Sequence, residues 1–182
     1  MADLVESGRQ SHAAKEYERA VELFTMAMRS CACAGGLDRV KCTCKNFEEI
    51  AAQGGSIFEE VSRTCRCEVG NTFNKCDRVD HIQALDCRAA TYEAMDRLDL
   101  AEKDAEWMIE LAPQLPDGYL RLGNLARLQT NDEYAWKIFT AGIEAKQETS
   151  VEPSSKLLVR SRGLEVSAKV DDDAATFVWV FN

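Results

Sequence analysis

The sequence predicts an all-α fold built from stacked pairs of helices. The first observation is a set of small and apolar residues that recurs three times with the same steps of 12, 4 and 3 residues. Steps of 4 and 3 place side chains on one face of a helix, and a step of 12 reaches back across a turn to the preceding helix. The second observation is the period, because the second and third sets stand 34 residues apart. A fixed period of this length indicates a repeat architecture.

Each repeat has one mark in its first helix and three in its second. The marks are Gly8, Ala20, Phe24 and Ala27; Ala89, Ala101, Ala105 and Met108; and Gly123, Ala135, Phe139 and Gly142. Small residues let the two helices of a pair approach closely, while Phe24, Met108 and Phe139 are expected to fill the space between pairs. Pro113 ends the second repeat, since proline cannot continue a helix. The pattern resembles the tetratricopeptide repeat (TPR), which implies a right-handed solenoid of helix pairs.

Four regions follow from this pattern. They are a first TPR helix pair at 1–30, a Cys-rich insertion at 31–81, second and third TPR pairs at 82–149, and a C-terminal tail or short capping helix at 150–182. The repeats predict helices at 2–14, 16–30, 82–95, 98–111, 116–128 and 132–146. Two further short helices are predicted in the insertion at Asn46–Gln53 and Ser56–Arg63, separated by Gly54-Gly55. In the tail, Ser155 is a candidate N-cap for a helix through Lys156–Arg162.

The charge and the apolar pattern disfavour several classes of partner. Acidic residues outnumber basic ones, 31 to 22, and a net charge of -9 repels phosphate backbones, so no nucleic-acid partner is expected. No apolar run is long enough to span a membrane, so no membrane association is expected. The first residues show no secretory signal, and we therefore expect a cytoplasmic or nuclear protein in a reducing compartment.

The insertion contains seven of the eight cysteines, and their spacing repeats. It reads C-x-C-x8-C-x-C and then C-x-C-x8-C-x4-H, which predicts two sets of four ligands in consecutive order along the chain. The predicted ligands are Cys31, Cys33, Cys42, Cys44, Cys65, Cys67, Cys76 and His81. Two structural zinc ions fit this donor set, although buried or free thiols and another metal remain open alternatives. Cys87 competes with His81 for the eighth place; His81 is preferred because Cys87 lies inside a repeat helix.

No catalytic motif is present, and we expect a binding protein rather than an enzyme. His12 is read as a helix-surface residue. The alternative from another class is a thiol redox or metal-handling protein that uses the C-x-C pairs. In a TPR array the first helix of each pair lines the concave face, where a protein or peptide would bind. The candidate partner-binding residues are Arg9, Asp86, Leu120, Arg121, Asn124 and Arg127.

The groove around Arg121 is basic and amide-bearing, which suits an acidic or C-terminal peptide. Of the five residues with which chaperone-binding TPRs grip a terminal carboxylate, only Arg121 has a counterpart here, so chaperone C-terminal tails are not expected as partners. A third possibility makes the insertion itself the recognition surface, with the repeats as its support.

Over about 1–146 the chain resembles the N-terminal region of fungal F-box/TPR proteins, which are substrate receptors of SCF ubiquitin ligases. The resemblance is carried by Cys42–Phe47, Gly54–Phe58, His81–Asp86 with Arg88–Ala90, and Asp104–Asn124. It implies a protein-interaction scaffold or adaptor linked to ubiquitin ligation. The F-box that follows the repeats in such proteins is not found in this sequence, so this chain is expected to be a fragment, a divergent shortened product, or a binder that recruits no ligase.

Overall fold

The computed structural model describes residues 1–34, 36, 44–63, 65, 67–72, 75–149, 159–161 and 164–166. The chain forms two compact units, Met1–Thr149 and Ser150–Asn182. The helices of the first unit are α1 Ala2–Ala13, α2 Tyr17–Arg29, α3 Phe47–Ala52, α4 Ile57–Ser62, α5 Glu68–Thr72, α6 Val79–Ala94, α7 Leu98–Leu111, α8 Pro116–Leu128 and α9 Asp132–Thr149.

Three helix pairs, α1 with α2, α6 with α7 and α8 with α9, pack one after another. The second helix of each pair packs on the first helix of the next, α2 on α6 and α7 on α8. The order of packing is that of an α-solenoid, and the six helices begin and end within a few residues of the positions predicted from the period.

The turns inside the pairs repeat as closely as the helices do. Each contains a residue other than glycine in the left-handed region, Lys15, Asp96 and Thr130, with φ of 63°, 59° and 62°. In each turn the amide of the following residue donates to a carbonyl five residues earlier, from Glu16 to Ser11 and equivalently in the other two pairs. Helices commonly end in this way, because a left-handed residue lets the chain satisfy the last carbonyls. The repeat therefore extends to the backbone conformation.

Complementary sizes hold the helices of a pair together. A Cβ at Gly8 would lie 2.5 Å from Phe24 Cε1, and a Cβ at Gly123 would overlap the ring of Phe139. In the second pair both corresponding positions are buried alanines. The two phenylalanines thus pack on the first helix of their own pair, whereas the sequence pattern predicted that they fill the space between pairs. Each ring fits because a glycine faces it.

The insertion packs on the far end of the repeat array. α3 and α4 contact α9, and their apolar residues join the same core as α8 and α9. Those residues are Phe47, Ala51, Ile57, Phe58 and Val61, all buried. The two predicted short helices are therefore present within a residue or two of their predicted bounds, and α5 is a further one that the sequence did not predict.

Side chains cap the two short helices. The Asn46 side chain accepts from the Glu49 amide at 3.1 Å, and the Ser56 hydroxyl accepts from the Glu59 amide at 3.2 Å. Such N-caps contribute about 1 kcal/mol each, which matters for helices of six residues.

In the second unit the described residues form two antiparallel strands, β1 Val159–Ser161 and β2 Leu164–Val166. The short helix proposed over Lys156–Arg162 is therefore wrong. Valine residues in both strands favour β structure.

None of the described helices combines the length and the apolarity that a membrane-spanning helix needs.

Candidate metal centres and partner surface

Three cysteines and a histidine meet where the insertion leaves and rejoins the repeats. Cys31, Cys33, Cys76 and His81 place one ligand atom each within 4.8 Å of one another, and we name them the outer cluster. The Cys33 Sγ atom lies 3.2 Å from Cys31 Sγ and 3.2 Å from His81 Nδ1, and Cys31 Sγ lies 3.8 Å from Cys76 Sγ. All but Cys33 are buried.

The backbone fixes the outer cluster from three directions. Cys31 follows α2, and its amide donates to the Met28 carbonyl at 3.1 Å. The Cys76 amide donates to the Leu111 carbonyl at 2.9 Å, which ties this cysteine to the end of α7. His81 lies in the first turn of α6. The ends of three helices thus converge on the four ligand atoms.

A second group, which we name the inner cluster, consists of Cys44, Cys65 and Cys67, whose sulfurs also lie within 4.8 Å of one another. Cys65 Sγ is 3.3 Å from Cys67 Sγ, and the Gly70 amide donates to Cys67 Sγ at 3.1 Å. A Cβ on Gly70 would collide with Cys65 and would lie 3.1 Å from both sulfurs, so the absence of a side chain at this position admits the pair. Cys42, the remaining predicted ligand, lies outside the described residues.

The grouping differs from the consecutive order that the spacing predicted. Cys31 and Cys33 group with Cys76 and His81 from the other end of the insertion, and Cys44 groups with Cys65 and Cys67. The two sets are therefore nested, one inside the other along the chain. The two ends of the insertion meet because α2, which precedes Cys31, packs on α6, which follows Cys76, and because the Cys76 amide is bonded to the end of α7.

Cys87 belongs to neither cluster, whereas His81 lies in the outer one. α6 begins at Val79, so His81 is inside the helix, although the sequence placed it just before the helix. A position in the first turn leaves the imidazole ring at the end of the helix, where it reaches the cysteines.

The thiols interact strongly with one another. Burial raises the pKa of Cys31, but hydrogen bonds with Cys33 and Cys76 and the charge of Arg78 outweigh burial and leave this pKa below its usual value. Hydrogen bonds with Cys67 and Cys65 raise the pKa of Cys44 to about 12. No disulfide joins any two of the seven cysteines that the structure describes. In each cluster the sulfurs are thus linked by hydrogen bonds through thiol protons, and a bound cation would replace these protons.

The donor atoms suit a borderline-soft divalent cation. Three thiolates and an imidazole are a common ligand set for structural zinc. Zinc–sulfur bonds of about 2.3 Å give about 3.8 Å between neighbouring ligand atoms of a tetrahedron. The separations of 3.2–3.8 Å in the outer cluster are close to that value. Among the described residues the inner cluster offers three thiols, one of them exposed. It therefore fits the same ion less completely than the outer cluster does.

The predicted partner-binding residues lie on the first helices, which we name the first-helix surface (α1, α6 and α8). α6 contacts both α1 and α8. The Arg9 guanidinium donates to Gln83 Oε1 at 3.1 Å across α1 and α6. Asn124 and Arg127 are exposed on α8, and Leu120 is half-buried.

Arg121 is already engaged within the protein. Its guanidinium lies 2.8 Å from Asp86 Oδ1 and 3.2 Å from Glu93 Oε2, both on α6. The sequence predicted a basic groove at this position, but the two carboxylates offset the charge of Arg121. The sequence also placed His12 on the surface, whereas its Nδ1 lies 3.0 Å from Thr91 Oγ1 and links α1 to α6.

Polar contacts that fasten the insertion to α9 were not predicted. Lys137 Nζ donates to the Ala51 carbonyl at 2.6 Å, and Ser56 Oγ donates to Glu144 Oε2 at 2.9 Å. These partners are 86 and 88 residues apart, and no local pattern relates them.

A buried charge pair lies where the insertion meets the end of α7. Lys45 Nζ is 4.0 Å from Glu110 Oε2, with side chains only 5% and 8% exposed, and it donates to the Arg63 carbonyl at 2.8 Å. Nearby, Lys75 donates to the Val61 carbonyl at 2.8 Å; burial lowers its pKa, as does the neighbouring Lys45. No local pattern predicts this arrangement, because lysines are usually solvated.

Two curated fungal proteins are similar to this chain. Protein DIA2 of Eremothecium gossypii is 26% identical over 161 residues, which is 85% of this chain and 21% of that protein. The F-box/TPR repeat protein pof3 of Schizosaccharomyces pombe is 39% identical over 62 residues, 34% of this chain and 11% of that protein. The chain thus spans about a fifth or less of the length of each relative. No protein-family model matches the sequence.

Proposed function

We propose that the chain is a TPR-type scaffold that binds a partner protein on the first-helix surface and catalyses no reaction. The observation that carries the proposal is the lateral alignment of α1, α6 and α8, which are cross-linked by polar contacts such as Arg9 to Gln83 and Arg121 to Asp86. A surface held in this way is preorganised, so a partner meets a fixed array of polar groups. The name F-box/TPR repeat protein of one relative supports an interaction role.

The partner binds through a segment that carries both acidic and basic residues, rather than through a purely acidic peptide. Asp86 and Glu93 offset Arg121, while Arg127 and Asn124 are exposed beside them. A link to SCF-type ubiquitin ligases is proposed only through the relatives, whose lengths this chain covers in small part.

We also propose that two structural zinc ions hold the insertion, one in each cluster. The ligand chemistry supports this assignment, since closed sulfur-rich sets stabilise small loops and contribute about 10–16 kcal/mol in isolated zinc-binding peptides. In this role the cysteines anchor the chain, and partner binding is left to the repeats.

The alternative function is thiol redox chemistry in the inner cluster. It is favoured by the 3.3 Å separation of the Cys65 and Cys67 sulfurs and by the exposure of Cys44. Two thiols there would lose two electrons and two protons to an external oxidant and form one disulfide. Reversible cycling of Cys65 and Cys67 at one potential, with a single zinc ion retained in the outer cluster throughout, would favour this alternative over a structural zinc ion in the inner cluster.

Site-specific photo-crosslinking tests the binding proposal. A photoreactive phenylalanine derivative is placed at Gln83 and at Asn124 on the first-helix surface, at Lys103 on α7 as the matched exposed control, and at Glu59 on the insertion. The proposal predicts that one protein is cross-linked from both Gln83 and Asn124 and not from Lys103, and that Arg127→Glu weakens the purified complex while Lys103→Glu leaves it unchanged. Cross-linking from Glu59 alone would instead make the insertion the recognition surface and would contradict the proposal.

A further inference from the structure

The first and second helix pairs lack the short connection that joins the second and third. α7 and α8 are linked by four residues, in which the Leu115 amide donates to the Ala112 carbonyl at 2.9 Å. α2 and α6 are separated by the whole of Ser30–Arg78. A long connection restricts the relative positions of its ends far less than a tight turn does.

The outer cluster lies at the missing connection. Its ligands come in pairs from the two sides, Cys31 and Cys33 just after α2, and Cys76 and His81 just before α6 and in its first turn. The sulfurs of Cys31 and Cys76 are 3.8 Å apart although the residues are 45 positions apart. One ion bound by all four would therefore join the same two helix ends that a turn joins elsewhere in the array.

This connection bears on the first-helix surface. α1 contacts α6 through the hydrogen bond from Arg9 to Gln83 at 3.1 Å, through His12 and Thr91 at 3.0 Å and through an apolar cluster that includes Val5, but α1 packs mainly on α2. The apolar contacts between α2 and α6 also belong to the core cluster that contains Cys31 and Cys76. The position of α1 beside α6 therefore depends on how α2 is held against α6.

We infer that a divalent zinc ion at the outer cluster replaces the inter-repeat turn and sets the first helix pair on the second. The α1 part of the first-helix surface then forms only in the metal-bound protein, whereas the α8 part forms without it. The inference rests on the proposed function for its consequence in binding, but the metal site and its structural effect are independent of any partner.

Hydrogen exchange of the full chain, measured by mass spectrometry without a partner, tests the inference. The protein is compared with stoichiometric zinc and after removal of zinc by a chelator under reducing conditions. Amides of α1 and α2 are expected to exchange at least about tenfold faster without zinc, while those of α8 change by less than about twofold, because local opening exposes only the helices that lose their anchor.

Variants assign the effect to the outer cluster. Cys76→Ser and His81→Ala should each lose one zinc ion and reproduce the fast exchange of α1 and α2. His81→Cys keeps a fourth soft ligand and should restore both the ion and the protection. Cys44→Ser removes a cysteine of the inner cluster, and it should leave the exchange of α1 and α2 as in the unaltered protein.

Three results would overturn the inference: a wild-type chain that binds no zinc, exchange in α1 and α2 that is indifferent to zinc, or an equal loss of protection in all helices, which would make the metal a requirement for the whole fold. Failure of the photo-crosslinking experiment would leave each of these results unchanged, so the two proposals fail separately.

Discussion

The repeats and the insertion are held together by different means. In the repeats, size complementarity between neighbouring helices recurs at a fixed period, as in Gly8 against Phe24 and Gly123 against Phe139. The insertion lacks this helical period; its two short helices pack buried side chains against α9, and its cysteines gather with His81 in two clusters. The insertion is therefore part of the core rather than an appendage, although nothing in its local sequence relates it to α9.

The largest expected effect tests whether the insertion is part of the core. Phe47→Ala removes a side chain that is 1% exposed and should lower the free energy of unfolding by about 3–5 kcal/mol. Glu49→Ala, an exposed change on the same helix, should cost less than about 1 kcal/mol. Denaturant titration followed by circular dichroism measures both. A cost for Phe47→Ala as small as that of the control would show that the insertion is loosely attached.

The next effect tests the close approach of the helices in the repeats. Gly123→Ala places a methyl group against the ring of Phe139 and should destabilise the protein by about 1–3 kcal/mol, although alanine favours helix elsewhere. Asn124→Ala, the adjacent exposed position, should be neutral or slightly stabilising. If thermal denaturation showed Gly123→Ala to be stabilising, the close packing of Phe139 on Gly123 would be wrong.

A smaller effect separates the polar fastening of the insertion from its apolar docking. Lys137→Met removes the donor to the Ala51 carbonyl and should cost about 1 kcal/mol, with faster hydrogen exchange confined to α3 and α4. Lys103→Met, an exposed lysine of α7, is the matched control and should have no effect on either measurement. Unchanged exchange in α3 after Lys137→Met would argue against this contact.

The smallest effect is a gain in stability in a repeat turn. Thr130 is β-branched and has φ of 62°, a conformation that glycine adopts without strain. Thr130→Gly should stabilise the protein by about 0.5–1 kcal/mol, whereas Gln129→Gly, at an ordinary φ of -82°, should destabilise it. A shift in the same direction for both variants in a thermal melt would contradict the argument from strain.

The helix pairs could be predicted from the sequence because the signal is local. Steps of 4 and 3 follow directly from helical geometry, and the 34-residue period aligned Ala89 with Gly123 without any knowledge of tertiary contacts. The short helices of the insertion were also predictable, from their amphipathic pattern and the break at Gly54-Gly55, and the structure adds the N-caps Asn46 and Ser56.

The arrangement of the insertion could not be predicted because it depends on contacts between distant residues. The C-x-C spacing is the same whether the sets are consecutive or nested, and only the packing of α2 on α6 brings Cys31 to Cys76. The ion pairs of Arg121 with Asp86 and Glu93 were missed for the same reason, since each partner alone resembles a solvated charge.

The nested grouping of the ligands is the central claim, and zinc counting by native mass spectrometry on two double variants tests it most directly. Each variant is purified under reducing conditions and challenged with a chelator. In the nested arrangement Cys33→Ser with Cys76→Ser damages only the outer cluster and leaves one zinc ion per chain, whereas Cys33→Ser with Cys44→Ser damages both clusters and leaves none. The opposite result, no zinc in the first variant and one ion in the second, would show that the ligands are grouped consecutively and would contradict the account.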